Sequence, residues 1–242
     1  MGKEFEISLD ASLDAEPEQV WDAIATGQGI SSWFVGRTEI DGDTVRTAFG
    51  DDWIPPAHIT DRDEPHRFAY RSDTAADGRF IAYEYLIEGR AGSGTVLRTV
   101  TSGFLPGDDW AAEYEAMRYG TDLFFHTLLA YLRHFPGATA TPVTAFGPPV
   151  TNWPTTWARL HLALGLGDTP RPGDPVQADL GDLPAVEGEV YFTNPHTLAI
   201  RTPTALYRFI RGLNGTLVAS HALFTPTAPF ATAPAWAAFL HF

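Results

Sequence analysis

"RFIAYEYLIEGRAGSGTVLRTVTSGF", residues 79–104, is the stretch on which the fold turns. Ile81, Tyr83, Tyr85 and Ile87 recur at every second position, so they share one face of a β-strand. The Gly-Ser-Gly at 92–94 supplies the turn of a hairpin, and residues 95–104 return as its second strand. Two faces compete in that strand: Val96, Arg98 and Val100 against Leu97, Thr99 and Thr101. Residues 108–135 then change period. Met117, Leu123, Phe124, Leu128, Tyr131 and Leu132 follow helical spacing, interrupted at Gly120. At about 1.5 Å per residue such a helix crosses a small sheet.

Upstream, Phe5, Ile7 and Leu9 alternate with polar neighbours as a first strand. A helix follows over 14–26, with Asp14 expected as N-cap and Pro17 in the first turn. Gly27 and Gly29 are expected to take the positive φ of a helix end. Trp33 and Phe34 then lie on a short second helical turn. Residues 37–42, 44–50 and 58–72 read as strands, and "DDWIPPA" (51–57) as a loop because of its two prolines. The order of elements is strand, two short helices, antiparallel strands and one long helix. It predicts an α+β fold in which a curved sheet wraps the terminal helix.

Downstream, residues 136–151 are rich in Pro, Gly, Ala and Thr and read as a linker. The pattern then restarts. A helix is expected over 151–167, strands near 175–180, 186–192, 197–202, 205–210 and 216–224, and a short helix over 233–242. "AYLRHF" closes the first half and "AFLHF" the second. The expected organisation is a domain at 1–135, a linker at 136–151 and a shorter, degenerate copy at 152–242.

Bulk properties narrow the function. The chain has 242 residues and a net charge of −14, which disfavours nucleic acid as a partner. With 44% hydrophobic and 19% charged residues, a packed core is expected rather than disorder. It has no cysteine, so thiolate chemistry and disulfides are excluded. No leader-like N-terminus and no apolar run long enough to span a bilayer is present, so a cytoplasmic location is expected.

"EPEQVWDAIATGQGISSWF" (16–34), "GTVLRTVTSGF" (94–104) and the long helix ending "LLAYL" together resemble the START-like SRPBCC superfamily. Within it they are most similar to the group homologous to the activator of the heat-shock-protein ATPase. The resemblance covers roughly residues 5–135 and implies a helix-grip (START/Bet v-like) fold that encloses an apolar pocket. Residues 150–242 resemble the second, degenerate module of some bacterial members. Members of the superfamily bind lipids, hormones and polyketides, and some act as cyclases or hydrolases. The eukaryotic activator carries a further N-terminal domain that engages the chaperone. This chain starts at the START-like unit, so chaperone contact is not expected.

Residues expected to line such a pocket are Trp33, Phe34, Trp53, Tyr83, Tyr85, Arg98, Tyr119 and Phe124. Buried tyrosines need partners for their hydroxyls, which suits a ligand with some polarity. Arg98, if inward, would need an acid such as Glu84 or a ligand carboxylate; if outward, it is a solvated strand residue. Gly120 would permit close approach of a strand or a ligand, and a packing role is the one expected. Asp51 and Asp52 beside Trp53 are paired carboxylates, expected to face water rather than catalyse. The eight histidines show no metal-ligand spacing, and His221 reads as a satisfied core or edge residue. "GRAGSGT" bridges two strands and is not a phosphate loop.

The expectation is therefore binding of a hydrophobic small molecule, with no cofactor, metal or nucleotide. The alternatives are a polyketide cyclase or aromatase-like enzyme using the same cavity, and a chaperone-cofactor role. The second module reads as a lid or a dimer surface, which admits a homodimer.

Overall fold

The computed structural model describes residues 2–89, 94–108, 110–212, 214–225 and 232–241. The chain divides into two units, Met1–Thr139 and Ala140–Phe242, each with its own antiparallel sheet.

In the first unit β1 (Lys3–Leu13) leads to α1 (Pro17–Ala25) and α2 (Gly27–Ser31). There follow β2 (Thr38–Asp41), β3 (Thr44–Phe49), β4 (Asp52–Trp53), β5 (Ala57–Asp63), β6 (Arg67–Ser72), β7 (Phe80–Gly89) and β8 (Thr95–Leu105). The unit ends with α3 (Trp110–His134). The strand order is β1-β8-β7-β6-β5-β3-β2, with β4 paired to β3. The first strand thus lies beside the last, and the rest of the sheet meanders away from them. This α+β arrangement is compatible with a helix-grip fold.

Register places inner-face side chains in rows. Ile7, Thr101, Tyr83 and Tyr70 form one row; Leu9, Thr99, Tyr85 and Phe68 form the next. The competition within β8 is settled. Thr95, Leu97, Thr99, Thr101, Gly103 and Leu105 are buried, so Arg98 points outward. Full burial of a side chain such as Leu97 or Ile87 contributes about 1.5–3 kcal/mol. The outward choice also spares the cost of burying a guanidinium.

Several local readings are corrected. The N-cap of α1 is Glu16, not Asp14, and Gln19 Oε1 accepts from the Glu16 backbone N–H at 3.1 Å. Gly27 and Gly29 belong to α2, and neither takes a positive φ. They are needed for close approach instead. A Cβ on Gly27 would sit 2.8 Å from the Thr38 carbonyl oxygen, and one on Gly29 only 2.1 Å from that of Asp22. Gly103, in the Thr-Ser-Gly-Phe stretch, is held in the same way, its Cβ position being 2.3 Å from the Phe80 carbonyl oxygen. Residues 58–72 form two strands, β5 and β6, paired as a hairpin. Of the expected Gly-Ser-Gly turn only Gly94 is described; residues 92 and 93 lie outside the described residues.

The second unit runs β9 (Thr141–Pro149), α4 (Trp153–Ala163), β10 (Pro175–Ala178), β11 (Val186–Asn194), β12 (Thr197–Arg201), β13 (Ala205–Arg211), β14 (Thr216–Leu223) and α5 (Ala233–Phe239). Its strand order is β10-β11-β12-β13-β14-β9. Here too the first strand lies beside the last. The expected linker is therefore mostly strand: β9 pairs with β14 through Thr144–Ser220 and Ala145–Ala219. The prolines that suggested a linker are tolerated because β9 is the edge of its sheet. Asn152 caps α4, its side chain accepting from the Thr155 N–H at 3.0 Å. Leu160, Leu164 and Trp236 are fully buried in this unit's core.

Candidate functional site

The inner face of the first unit carries a cluster of aromatic residues. The sharp corner after α1 places Trp33 and Phe34. Thr26 ends α1, and its hydroxyl accepts from the Gly29 N–H at 3.0 Å to start α2. Trp33 then turns back so that its indole N–H donates to the Ala23 carbonyl at 2.9 Å. Its ring is 3% exposed and meets Tyr85 edge-on at 6.3 Å. Trp33 thus has its polar edge satisfied within the fold. Phe34 bridges sheet and helix, with ring centroids 5.7 Å from Tyr83 and 5.0 Å from Phe124 of α3.

Tyr70 lies beside Tyr83 at 5.1 Å and parallel to Tyr85 at 6.4 Å. Burial pushes the Tyr83 hydroxyl up to about 12. It raises Tyr70 and Tyr85 as well, and for Tyr70 the neighbouring tyrosines add to the effect. All three remain protonated donors near neutrality. Tyr83 differs from the other two in being only half-buried.

The helix completes this face unevenly. Trp110, Tyr114 and Met117 pack against Phe5, Ile7 and Leu105 of the sheet, and none of those three helix residues is fully buried. From Leu123 to Leu132 the helix is largely buried. Gly120 lies between these halves, on the same face as Met117 at i−3 and Phe124 at i+4. A Cβ built on Gly120 meets nothing within 4 Å. The expected packing role is therefore corrected: no strand approaches this glycine.

Trp33, Phe34, Tyr83, Tyr85 and Phe124 are thus brought together, whereas Arg98 and Trp53 are not. Arg98 lies on the outer face, where its Nε donates to Ser8 Oγ at 3.0 Å; Glu84 is engaged by Arg67 instead, at 2.7 Å. Trp53 is 42% exposed on β4, with the guanidinium of Arg37 at 4.9 Å and that of Arg46 at 5.9 Å from its ring. Tyr119 stands five residues from Phe124, about 140° around the helix, with Arg118 4.5 Å from its ring. Asp51 and Asp52 are exposed.

Sequence reasoning missed Phe68 and Tyr70, although "RFAYRS" carries their period-2 signal. Joining β5 and β6 into one segment hid which face they share. It also missed Arg208 on β13, which is fully buried, its Nε donating to the Ser220 carbonyl at 2.6 Å. Beside it His221 is fully buried, its Nδ1 accepting from the Arg208 N–H at 3.1 Å and its ring 4.2 Å from that of Trp236. Burial, reinforced by the Arg208 charge, holds the imidazole well below its ordinary value of 6.5. Among the described residues no group of three or more His, Asp or Glu is placed to hold a metal ion. No helix among them is long and apolar enough to cross a membrane.

No protein-family model and no curated protein matches the chain. Among solved structures it is similar to a protein from Mesorhizobium loti, at 16% identity over 54% of this chain and 98% of that one, with a TM-score of 0.45. The Aha1 dimer from Colwellia psychrerythraea aligns at 18% identity over 53% of this chain and 96% of that one, TM-score 0.43. DynU16, a protein of the dynemicin biosynthetic locus, aligns at 16% identity over 97% of this chain and 96% of that one, TM-score 0.44.

Proposed function

We propose that the first unit binds an apolar small molecule in a recess between the Tyr83 row of the sheet and the N-terminal half of α3. The observation that carries this reading is Gly120. It occupies the sheet-facing arc of α3 between Met117 and Phe124, yet the space beyond it is open to 4 Å. Half-buried Tyr83 and Phe124 support the same placement. Apolar ligand surface removed from water there would contribute about 25 cal/mol per Å².

Binding is favoured over cyclase-like catalysis because the inner rows hold only tyrosines as titratable groups. Acid–base work near neutral pH calls for a group whose pKa lies near the working pH. Burial moves these tyrosines the other way. The second unit reads as a shortened copy of the first, since both place the first strand beside the last and end on a helix.

Native mass spectrometry of the protein recovered from its own host tests the proposal. A retained small molecule is expected on the parent chain and should be lost from Gly120→Leu, whose side chain would fill the recess. A parent chain that repeatedly carries nothing, or a Gly120→Leu variant that carries the same adduct, contradicts it.

A further inference from the structure

We propose that the recess takes an uncharged ligand bearing an oxygen acceptor, and that Tyr83 is the residue that selects for that oxygen. This rests on the recess reading above and adds the chemical class of its occupant.

The first ground is the absence of charge across the face involved. Tyr83 lies in a row with Ile7, Thr101 and Tyr70. The helix positions opposite, Met117, Gly120, Thr121 and Phe124, are also uncharged. A carboxylate or ammonium placed between them would give up its hydration without gaining a counter-charge. Nearby guanidinium groups are already engaged. Arg79, just before β7, pairs with Glu113 of α3 and lies 3.7 Å from Asp77. Arg71 lies 4.0 Å from the ring of Phe80 and donates to Thr74.

The second ground is an inequality among the three tyrosines. Tyr70 and Tyr85 are each 4% exposed and lie ring to ring at 6.4 Å, closed off within the core. The Tyr83 hydroxyl makes no hydrogen bond among the described residues, and its side chain keeps accessible surface. Its raised pKa keeps the proton on the oxygen, so it presents a donor. A ketone, ester or ether oxygen is the complement of a lone phenolic donor in apolar surroundings.

Isothermal titration calorimetry with three shape-matched probes tests this at neutral pH: 2-acetylnaphthalene, 2-naphthoate and 2-isopropylnaphthalene. The ketone is expected to bind at least about tenfold more tightly than the carboxylate. Tyr83→Phe keeps the ring contacts, and should weaken the ketone by about two- to tenfold while leaving the hydrocarbon unchanged. A carboxylate that binds as tightly as the ketone overturns the inference and leaves the recess standing. So does a Tyr83→Phe variant that retains full ketone affinity or loses ketone and hydrocarbon alike. Failure of all three probes to bind overturns the recess reading itself.

Discussion

Replacing Gly120 by alanine should stabilise the protein, and the reason is visible in the surroundings of that one atom. Glycine in a helix interior costs about 0.8–1.0 kcal/mol relative to alanine, because the unfolded chain gives up more freedom. Normally a glycine on a sheet-facing arc earns its place through close packing, and alanine then clashes. At Gly120 the added Cβ meets nothing within 4 Å, so no clash offsets the gain. The net expectation is a gain of about 0.8–1.0 kcal/mol, or roughly 2–4 °C in Tm for a chain of this size. Thermal melts and urea midpoints of the parent and Gly120→Ala chains measure it. Gly29→Ala serves as the internal contrast, since its Cβ would lie 2.1 Å from the Asp22 carbonyl oxygen. A Gly120→Ala chain less stable than the parent would refute the reasoning, because something would then have to pack against the added methyl group.

Other outcomes follow from the same geometry. Gly29→Ala should cost about 1–3 kcal/mol through overpacking of α1 on α2, read as a lowered urea midpoint with unchanged m-value. Arg98→Ala should change stability by no more than about 0.5 kcal/mol and leave probe affinity untouched, because Arg98 lies on the outer face; an altered calorimetric Kd would count against that placement. The buried His221 makes stability depend on pH. Its folded pKa lies well below 6.5, so between those values the unfolded chain binds a proton that the folded chain does not. Stability is therefore fully present above about pH 6.5 and falls by about 1.4 kcal/mol per unit below it, until the folded pKa is reached. Urea titrations at pH 7.5 and 5.5 should show His221→Asn removing about one proton from that slope; an unchanged slope would show that His221 does not carry it.

Much of the first unit was legible because the periods of its segments are clean. The alternation Ile81-Tyr83-Tyr85-Ile87 and the helical stripe from Met117 to Leu132 correspond to β7 and α3. The ring set of Trp33, Phe34, Tyr83, Tyr85 and Phe124 was also foreseeable, since large apolar residues at those spacings share faces. What escaped was context that local pattern does not encode. The face of β8 was ambiguous because threonine is at home on either side of a sheet, and register with Tyr83 and Tyr85 decided it. β9 was mistaken for a linker because proline at a sheet edge has the same composition as proline in a loop. Gly27 and Gly29 were assigned a backbone role, whereas the carbonyls of Thr38 and Asp22 dictate them through space. Gly120 erred in the opposite sense, as only the fold reveals that nothing lies beside it. Arg208 was invisible because an arginine in an alternating strand normally faces water.

The claim on which the rest depends is that a hollow lies beside Gly120 on the inner face of α3. A crystal structure under xenon pressure tests it most directly, since dry apolar cavities of sufficient size take up xenon. A bound xenon between Gly120, Phe124 and Tyr83 is the expected result. Density showing those side chains in mutual contact, with no xenon at that position, would contradict it.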